Sequence, residues 1–434
     1  MSSKVAKAGR PSLAGRILPG GPAIPYPDRP LWRPQNIEWW AERVKDEPDT
    51  TKTGWEEDPD QEYPRDKLEA RRMELFRPGG DVRMCLAPDG AVLACEFSGR
   101  IVRSSDGGQT WDALTPVPGP DVEEFGVLAD GSILATVTSR EIPPNISFGE
   151  THDYFTFLDL YRSEDAGRSW SDPLRMQPPA SVAEDVYGNW GAFKLGTGFN
   201  RFVHLPDGQV IAALAVNPGP RPDGSAPPDE IRHCTTVIYR SDDNGFTWHH
   251  DPKPVGIGWG EFNMTLLRSG RLMAFIRVQR LLQPEDPKDH FEIEPAPITR
   301  GYKTGFVSHS DDGGRTWAPA RMLTRYHEVP GCFVELSDGT LVATYGQKSV
   351  PYGCRAIVSP DGGQTWHQKI LVLADQENDK PYMDGEGGHC SSVVLPDDTI
   401  ISAYQSHGAG KDAPMTSRAV IWRVPEELRA GTSR

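Results

Sequence analysis

Residues able to do acid–base and anion-binding chemistry recur at fixed distances before six short turns in this 434-residue chain. Seven positions before Gly90, Gly131, Gly208, Gly270, Gly339 and Asp398 stand Arg83, Glu124, Arg201, Asn263, Cys332 and Ser391. Nine positions before the same turns stand Asp81, Val122, Phe199, Glu261, Pro330 and His389. The position six before each turn is apolar (Met84, Phe125, Phe202, Met264, Phe333), with Ser392 the exception. Brought together, these segments would place arginines, carboxylates and a histidine in one site. Arginine binds carboxylate or phosphate through paired N–H donors, and two opposed carboxyl groups are what most glycosidases use. A histidine adds a base suited to neutral pH. Adjoining segments carry Arg140, Arg277, Tyr302 and His407, with Trp190 and Trp259 able to stack on a sugar ring. The structural alternative is a ring of ion pairs that plugs a channel, although burying so many charges is costly.

The elements that must position these residues follow from the turns. Each turn lies between two runs of alternating apolar residues, as in MCLAPDGAVLACEF and FVELSDGTLVATYG. Asp-Gly between period-2 runs predicts a β-hairpin. A second motif interleaves with the first: SSDGGQTW at 104–111, SEDAGRSW at 163–170, SDDNGFTW at 241–248, SDDGGRTW at 310–317 and SPDGGQTW at 359–366. Each octet follows a third apolar run and precedes a fourth. The unit is therefore four strands, A to D, with the Asp-Gly turn joining A to B and the octet joining C to D. Six units predict an all-β, six-bladed β-propeller of four-stranded antiparallel blades.

The sixth unit ends one strand short, after AVIWRV, and the segment at about 72–76 is expected to supply the missing strand and remove an exposed edge. In this architecture the starts of the A strands crowd at the mouth of the central channel, opposite the A–B turns and the octets. Long insertions after strand B of blades 2, 3 and 4, such as TSREIPPNISFGETHDYFTF, fall on the same face as the strand starts. The octet reads as a corner-turning device rather than a metal or phosphate site. Its aspartate can accept turn amides, its glycine takes a positive backbone angle and its tryptophan fills space between strands.

Residues 1–78 read as a proline-rich arm, and residues 79–434 as the propeller. A short helix is expected at NIEWWAERV, capped by Asn36. The arm is expected to wrap the propeller or a partner subunit, the latter a route to a homo-oligomer. The net charge of −15 argues against nucleic acid or an anionic membrane as partner. No signal-peptide core or membrane-length apolar run is visible, so the expected location is cytoplasmic. The six cysteines form no Cys-X-X-Cys pair, and reduced, buried thiols are expected, with no metal and no cofactor.

The octet resembles the Asp box of the sialidase-like, or bacterial neuraminidase repeat (BNR), superfamily, and the resemblance extends over about residues 72–424. It implies the propeller fold and carbohydrate chemistry. Sialidases hold the sugar carboxylate with three arginines and use a tyrosine nucleophile activated by glutamate, with an aspartate as acid/base. Their first arginine lies in a Phe/Tyr-Arg-Ile-Pro motif; FRPGGDVRMCLAPDG offers Arg77 or Arg83 without the Ile-Pro. WGEFNMTLL and VPGCFVEL carry no arginine where the other two are expected. His389 stands near the place of the tyrosine, and Tyr404-Gln405 replaces the usual Tyr-Glu.

The resemblance thus implies a glycan-active protein that is not an ordinary sialidase. The expected function is a glycoside hydrolase acting on an acidic glycan. Glu261 or Glu124 would be the general acid, a neighbouring carboxylate or His389 the base, and Arg83 and Arg201 the clamp. Asp81, Asn263, Arg140, Arg277, Trp190, Trp259, Tyr302 and His407 would contact the ligand. Two alternatives stand beside it: a polysaccharide lyase with a histidine base acting on a uronate, and a non-catalytic glycan- or protein-binding propeller.

Overall fold

All six turns close in the same way: the N–H of Gly90, Gly131, Gly208, Gly270, Gly339 or Asp398 donates to the carbonyl three residues earlier, at 2.9–3.0 Å. The five glycines have φ between 82° and 91°, and Asp398 has φ 65°. This is the three-residue hairpin loop that ends in a left-handed residue, which is why glycine recurs there. The computed structural model describes residues 65–68, 70–119, 122–139, 157–176, 194–217, 235–251, 255–257, 259–280, 302–326, 328–347, 353–367, 369–375, 389–407 and 414–431. The helix expected at 37–44 lies outside them.

The hairpins grow into six sheets. Blade 1 comprises strands Val82–Leu86, Val92–Glu96, Ile101–Ser104 and Asp112–Ala113. Blade 2 comprises Val122–Val127, Ile133–Ser139, Phe157–Ser163 and Leu174–Met176. Blade 3 runs Lys194–His204, Val210–Asn217, Thr235–Ser241 and His249–His250, with Gly256–Ile257 also paired to its third strand. Blade 4 is Trp259–Leu266, Leu272–Arg280, Tyr302–Ser310 and Arg321–Tyr326. Blade 5 is Glu328–Glu335, Leu341–Gln347, Gly353–Ser359 and Ile370–Asp375. Blade 6 is Ser391–Val394, Ile400–His407, Met415–Trp422 and, from the beginning of the chain, Arg71–Phe76. That last strand pairs antiparallel with Met415–Trp422, Met73 facing Ala419. Consecutive A strands touch all the way round, including blade 6 against blade 1, so the ring is closed.

One addition was not expected: Arg65–Lys67 pairs in parallel with Ile370–Asp375 and gives blade 5 a fifth strand. The segment at 65–76 therefore spans blades 5 and 6. Among the described residues no helix is long and apolar enough to cross a membrane.

The octets help to lock blades to the ones before them. In the fourth copy, Ser310 Oγ donates to Asp312 Oδ1 (2.8 Å), which also accepts the amides of Arg315 and Thr316 (3.0 and 2.9 Å), while Thr316 Oγ1 donates to Oδ2 (2.6 Å). The same pattern repeats around Asp106, Asp165, Asp243 and Asp361. An arginine of the preceding blade completes the joint: Arg240 donates to the Gly313 carbonyl (2.9 Å) and Arg321 to that of Gly363 (3.1 Å). Gly363 has φ 91°, a conformation that favours glycine, and a Cβ there would press on the flexible end of Met273 of blade 4 (2.7 Å from Cε). Hydrogen bonds such as Gln209 to Asp242 and Arg271 to Asp311 put the A–B turns and the octets on one face.

Candidate functional site

At the opposite end of the A strands, Arg83, Glu124, Arg201, Asn263, Cys332 and Ser391 line one cavity of about 30 Å³, together with Glu261, His389, Met84 and Cys390. The backbone shows how they are aimed. Strand A carries an extra residue relative to strand B in blades 2, 3, 4 and 5, between Val122 and Glu124, Asn200 and Val203, Trp259 and Phe262, and Glu328 and Gly331. A β-bulge bends the strand and re-aims its side chains. Glu124, Arg201 and Glu261 all sit at these bulges. Residues nine and seven before a turn share one face because strand side chains alternate, as His389 and Ser391 do in a blade without a bulge.

Each polar group has a defined environment. Arg83 donates from Nε to the Glu123 carbonyl (2.9 Å), and its Nη atoms make no hydrogen bond among the described residues. Burial disfavours its charge, but Asp81, Glu124, Glu123 and Glu261 outweigh that and hold its pKa above the ordinary value. Glu124 is buried, which raises its carboxyl above the usual range against the pull of Arg83. Its Oε2 accepts the amide of Arg201 and its Oε1 that of Phe125 (3.0 Å). Arg201 has φ 52°, a left-handed conformation rare outside glycine, and reaches the Ser392 carbonyl through Nη2 (3.2 Å).

Glu261 forms an ion pair with Arg277, both side chains mostly buried. Asn263 donates to the Gly331 carbonyl of the next blade (2.9 Å). His389 Nδ1 meets Asp81 Oδ2, and Gln405 Nε2 donates to Asp81 Oδ1, so one carboxylate bridges an imidazole and an amide.

A family model for the BNR repeat-like domain matches residues 145–391. The chain belongs to the BNR repeat-like domain family. Among solved structures, this BNR chain is similar to a protein of unknown function from Dyadobacter fermentans, with a TM-score of 0.60 and 17% identity over 83% of this chain and 99% of that one. It is also similar to the Trypanosoma rangeli sialidase solved with sialic acid, with a TM-score of 0.51 and 14% identity over 84% of this chain and 60% of that one. At these identities the likeness is one of fold. No curated protein matches in sequence.

Within the BNR frame, the six strand starts therefore meet as their spacing implied, while the outer candidates do not all come into view. Arg140 and Trp190 lie outside the described residues. Trp259, Tyr302 and His407 begin or end strands of blades 4 and 6, and nothing further is described of their side chains. Arg77 is not at the cavity: it pairs with Glu74 at the surface (2.6 Å). Of the two arginines offered by FRPGGDVRM, only Arg83 lines the cavity. Glu123 and Cys390 were missed by the spacing rule. Glu123 is the extra residue of a bulge, and Cys390 is marked only by its adjacency to His389. Among the described residues no cluster of three or more His, Cys, Asp or Glu side chains could hold a metal ion.

Proposed function

We propose that this BNR propeller is a glycoside hydrolase acting on a glycan that carries an anionic sugar. The observation that carries the reading is one cavity lined by Glu124, Glu261, Arg83, Arg201 and a histidine tied to a carboxylate. A volume of about 30 Å³ holds one or two water molecules, not a sugar ring. The ring would therefore rest above the cavity, with a carboxylate reaching down to Arg83 and Arg201. Arg83 suits this because its Nη donors are not engaged by described residues.

Glu124 is the proton donor, since burial keeps its carboxyl protonated to higher pH than usual. The bond to Asp81 orients the imidazole of His389, which is the base that draws a proton from the attacking water. Glu261, ionised beside Arg277, stabilises positive charge that develops on the sugar.

One observation favours a binding-only propeller instead. Both oxygens of Glu124 already accept backbone amides, and Glu261 is already paired, so the carboxylates would serve to position the arginines. A panel assay separates the readings. The protein is incubated with sialosides, uronate-containing oligosaccharides and neutral aryl glycosides, following reducing ends and the ultraviolet absorbance of a new double bond. Hydrolysis predicts reducing ends without absorbance, lowered at least about 100-fold by Glu124→Gln and by His389→Ala. New absorbance would make the protein a lyase. Binding without turnover, lost in Arg83→Ala, would make it a binding propeller.

A further inference from the structure

Two cysteines from neighbouring blades meet beside the cavity. Cys354 lies on strand C of blade 5 and Cys390 immediately before strand A of blade 6. They are 36 residues apart in sequence, yet their Sγ atoms lie 2.7 Å apart, and both side chains are buried. Reaching a disulfide bond length needs an approach of only about 0.7 Å. The frame on either side is fixed by hydrogen bonds. The Cys354 carbonyl accepts Arg355 Nη1 (3.1 Å), which also donates to the Ala374 carbonyl (2.6 Å). Next to Cys390, Ser391 Oγ accepts the Met84 amide of blade 1 (3.0 Å), and His389 is held by Asp81. Cys332, also at the cavity, instead meets Thr344 Oγ1 (3.3 Å).

We infer that Cys354 and Cys390 are a disulfide-forming pair that ties blade 5 to blade 6 at the rim of the cavity. The oxidant is a small disulfide such as oxidised glutathione. One cysteine thiolate attacks it, giving a mixed disulfide and releasing one glutathione thiol. The second cysteine then displaces the other glutathione, so the pair loses two protons and two electrons and the oxidant becomes two thiols. The Arg355 guanidinium favours the thiolate this requires, whereas burial pushes the Cys390 thiol up and keeps reagents out. The bond is therefore made while the chain folds and is shielded from reductants afterwards. It anchors the segment carrying His389, and it stands whether or not the cavity is catalytic.

The test is refolding of the full chain in a glutathione redox buffer, alkylation of remaining thiols, and digestion without reductant. The expected result is a linked pair of peptides containing Cys354 and Cys390, two hydrogens lighter than the sum of the thiol forms and separated by reductant. The oxidised protein should melt about 4 °C above the reduced one, a difference absent in Cys390→Ser. If the chain does not refold, the same peptide map is made on protein secreted to a bacterial periplasm. Alkylation of both cysteines in the folded, oxidised protein, or linkage of either to another cysteine, would overturn the inference.

Discussion

Glu124 joins two roles that are usually separate. It holds a carboxyl whose pKa is raised by burial, and it caps the amide of Arg201, whose left-handed backbone costs about 1–3 kcal/mol. In Glu124→Gln only one side-chain oxygen remains, so either the Arg201 or the Phe125 amide is left facing an NH2 group. A loss of about 1–3 kcal/mol is expected in urea denaturation at neutral pH, beyond any loss of turnover. The pH profile tests its chemistry separately. Arg83 favours the charged form of Glu124, so in Arg83→Gln the carboxyl should hold its proton to higher pH. If Glu124 is the proton donor, the alkaline limb of kcat then moves upward; an unmoved limb would assign that role elsewhere. Much of this site was legible in the sequence, because counting back from each turn finds Arg83, Glu124, Arg201 and Asn263 without a structure. The bulges were not. An extra residue leaves no composition signal, and so neither Glu123 nor the pairing of Glu124 with the Arg201 amide could be read.

The octets govern stability through their aspartates. Hydrogen bonds from Thr316, Ser310 and Arg315 outweigh burial and hold Asp312 down at about 2, and bonds led by Ser169 hold Asp165 at about 2 as well. Asp106, Asp243 and Asp361 are lowered by the same set of donors. A carboxyl whose folded pKa lies below its unfolded value stabilises the fold above the unfolded value, near pH 4, and that contribution is lost as pH falls through the folded value. Urea midpoints should therefore drop steeply between about pH 4 and pH 2. Asp312→Asn should lower the midpoint at neutral pH and flatten that dependence; an unchanged slope would mean that the octet charges do not govern acid unfolding. The second octet has an alanine at a strained position: Ala166 occupies, with φ 60°, the left-handed position held elsewhere by Gly107, Asn244, Gly313 and Gly362. Ala166→Gly should add about 1 kcal/mol in thermal or urea melting. The octets, the hairpins and the four strands of each blade were legible because turn chemistry is local; the added strand Arg65–Lys67 was not, since no turn motif marks it. The arginines that cross to the next octet were not, since which blade edge faces which is a property of the closed ring.

Closure itself joins the two ends of the repeat. Phe76, on the strand that returns from the start of the chain, is buried in one cluster with Val82, Met84 and Ala94 of blade 1 and Ile401, Ala403 and Ala419 of blade 6. A linear array of repeats unfolds piecemeal, each unit stabilised by its neighbours alone, whereas a ring with no free end resists fraying. Removing the Phe76 ring should cost about 3–5 kcal/mol through lost burial and the cavity left behind. In a closed, cooperative ring that loss is felt by every blade. Hydrogen exchange read blade by blade on Phe76→Ala should then show protection falling in the strands of blade 3, across the ring, as well as in blades 1 and 6. If blade 3 keeps its protection while blades 1 and 6 lose theirs, the joint opens independently and the propeller behaves as an array whose ends happen to touch.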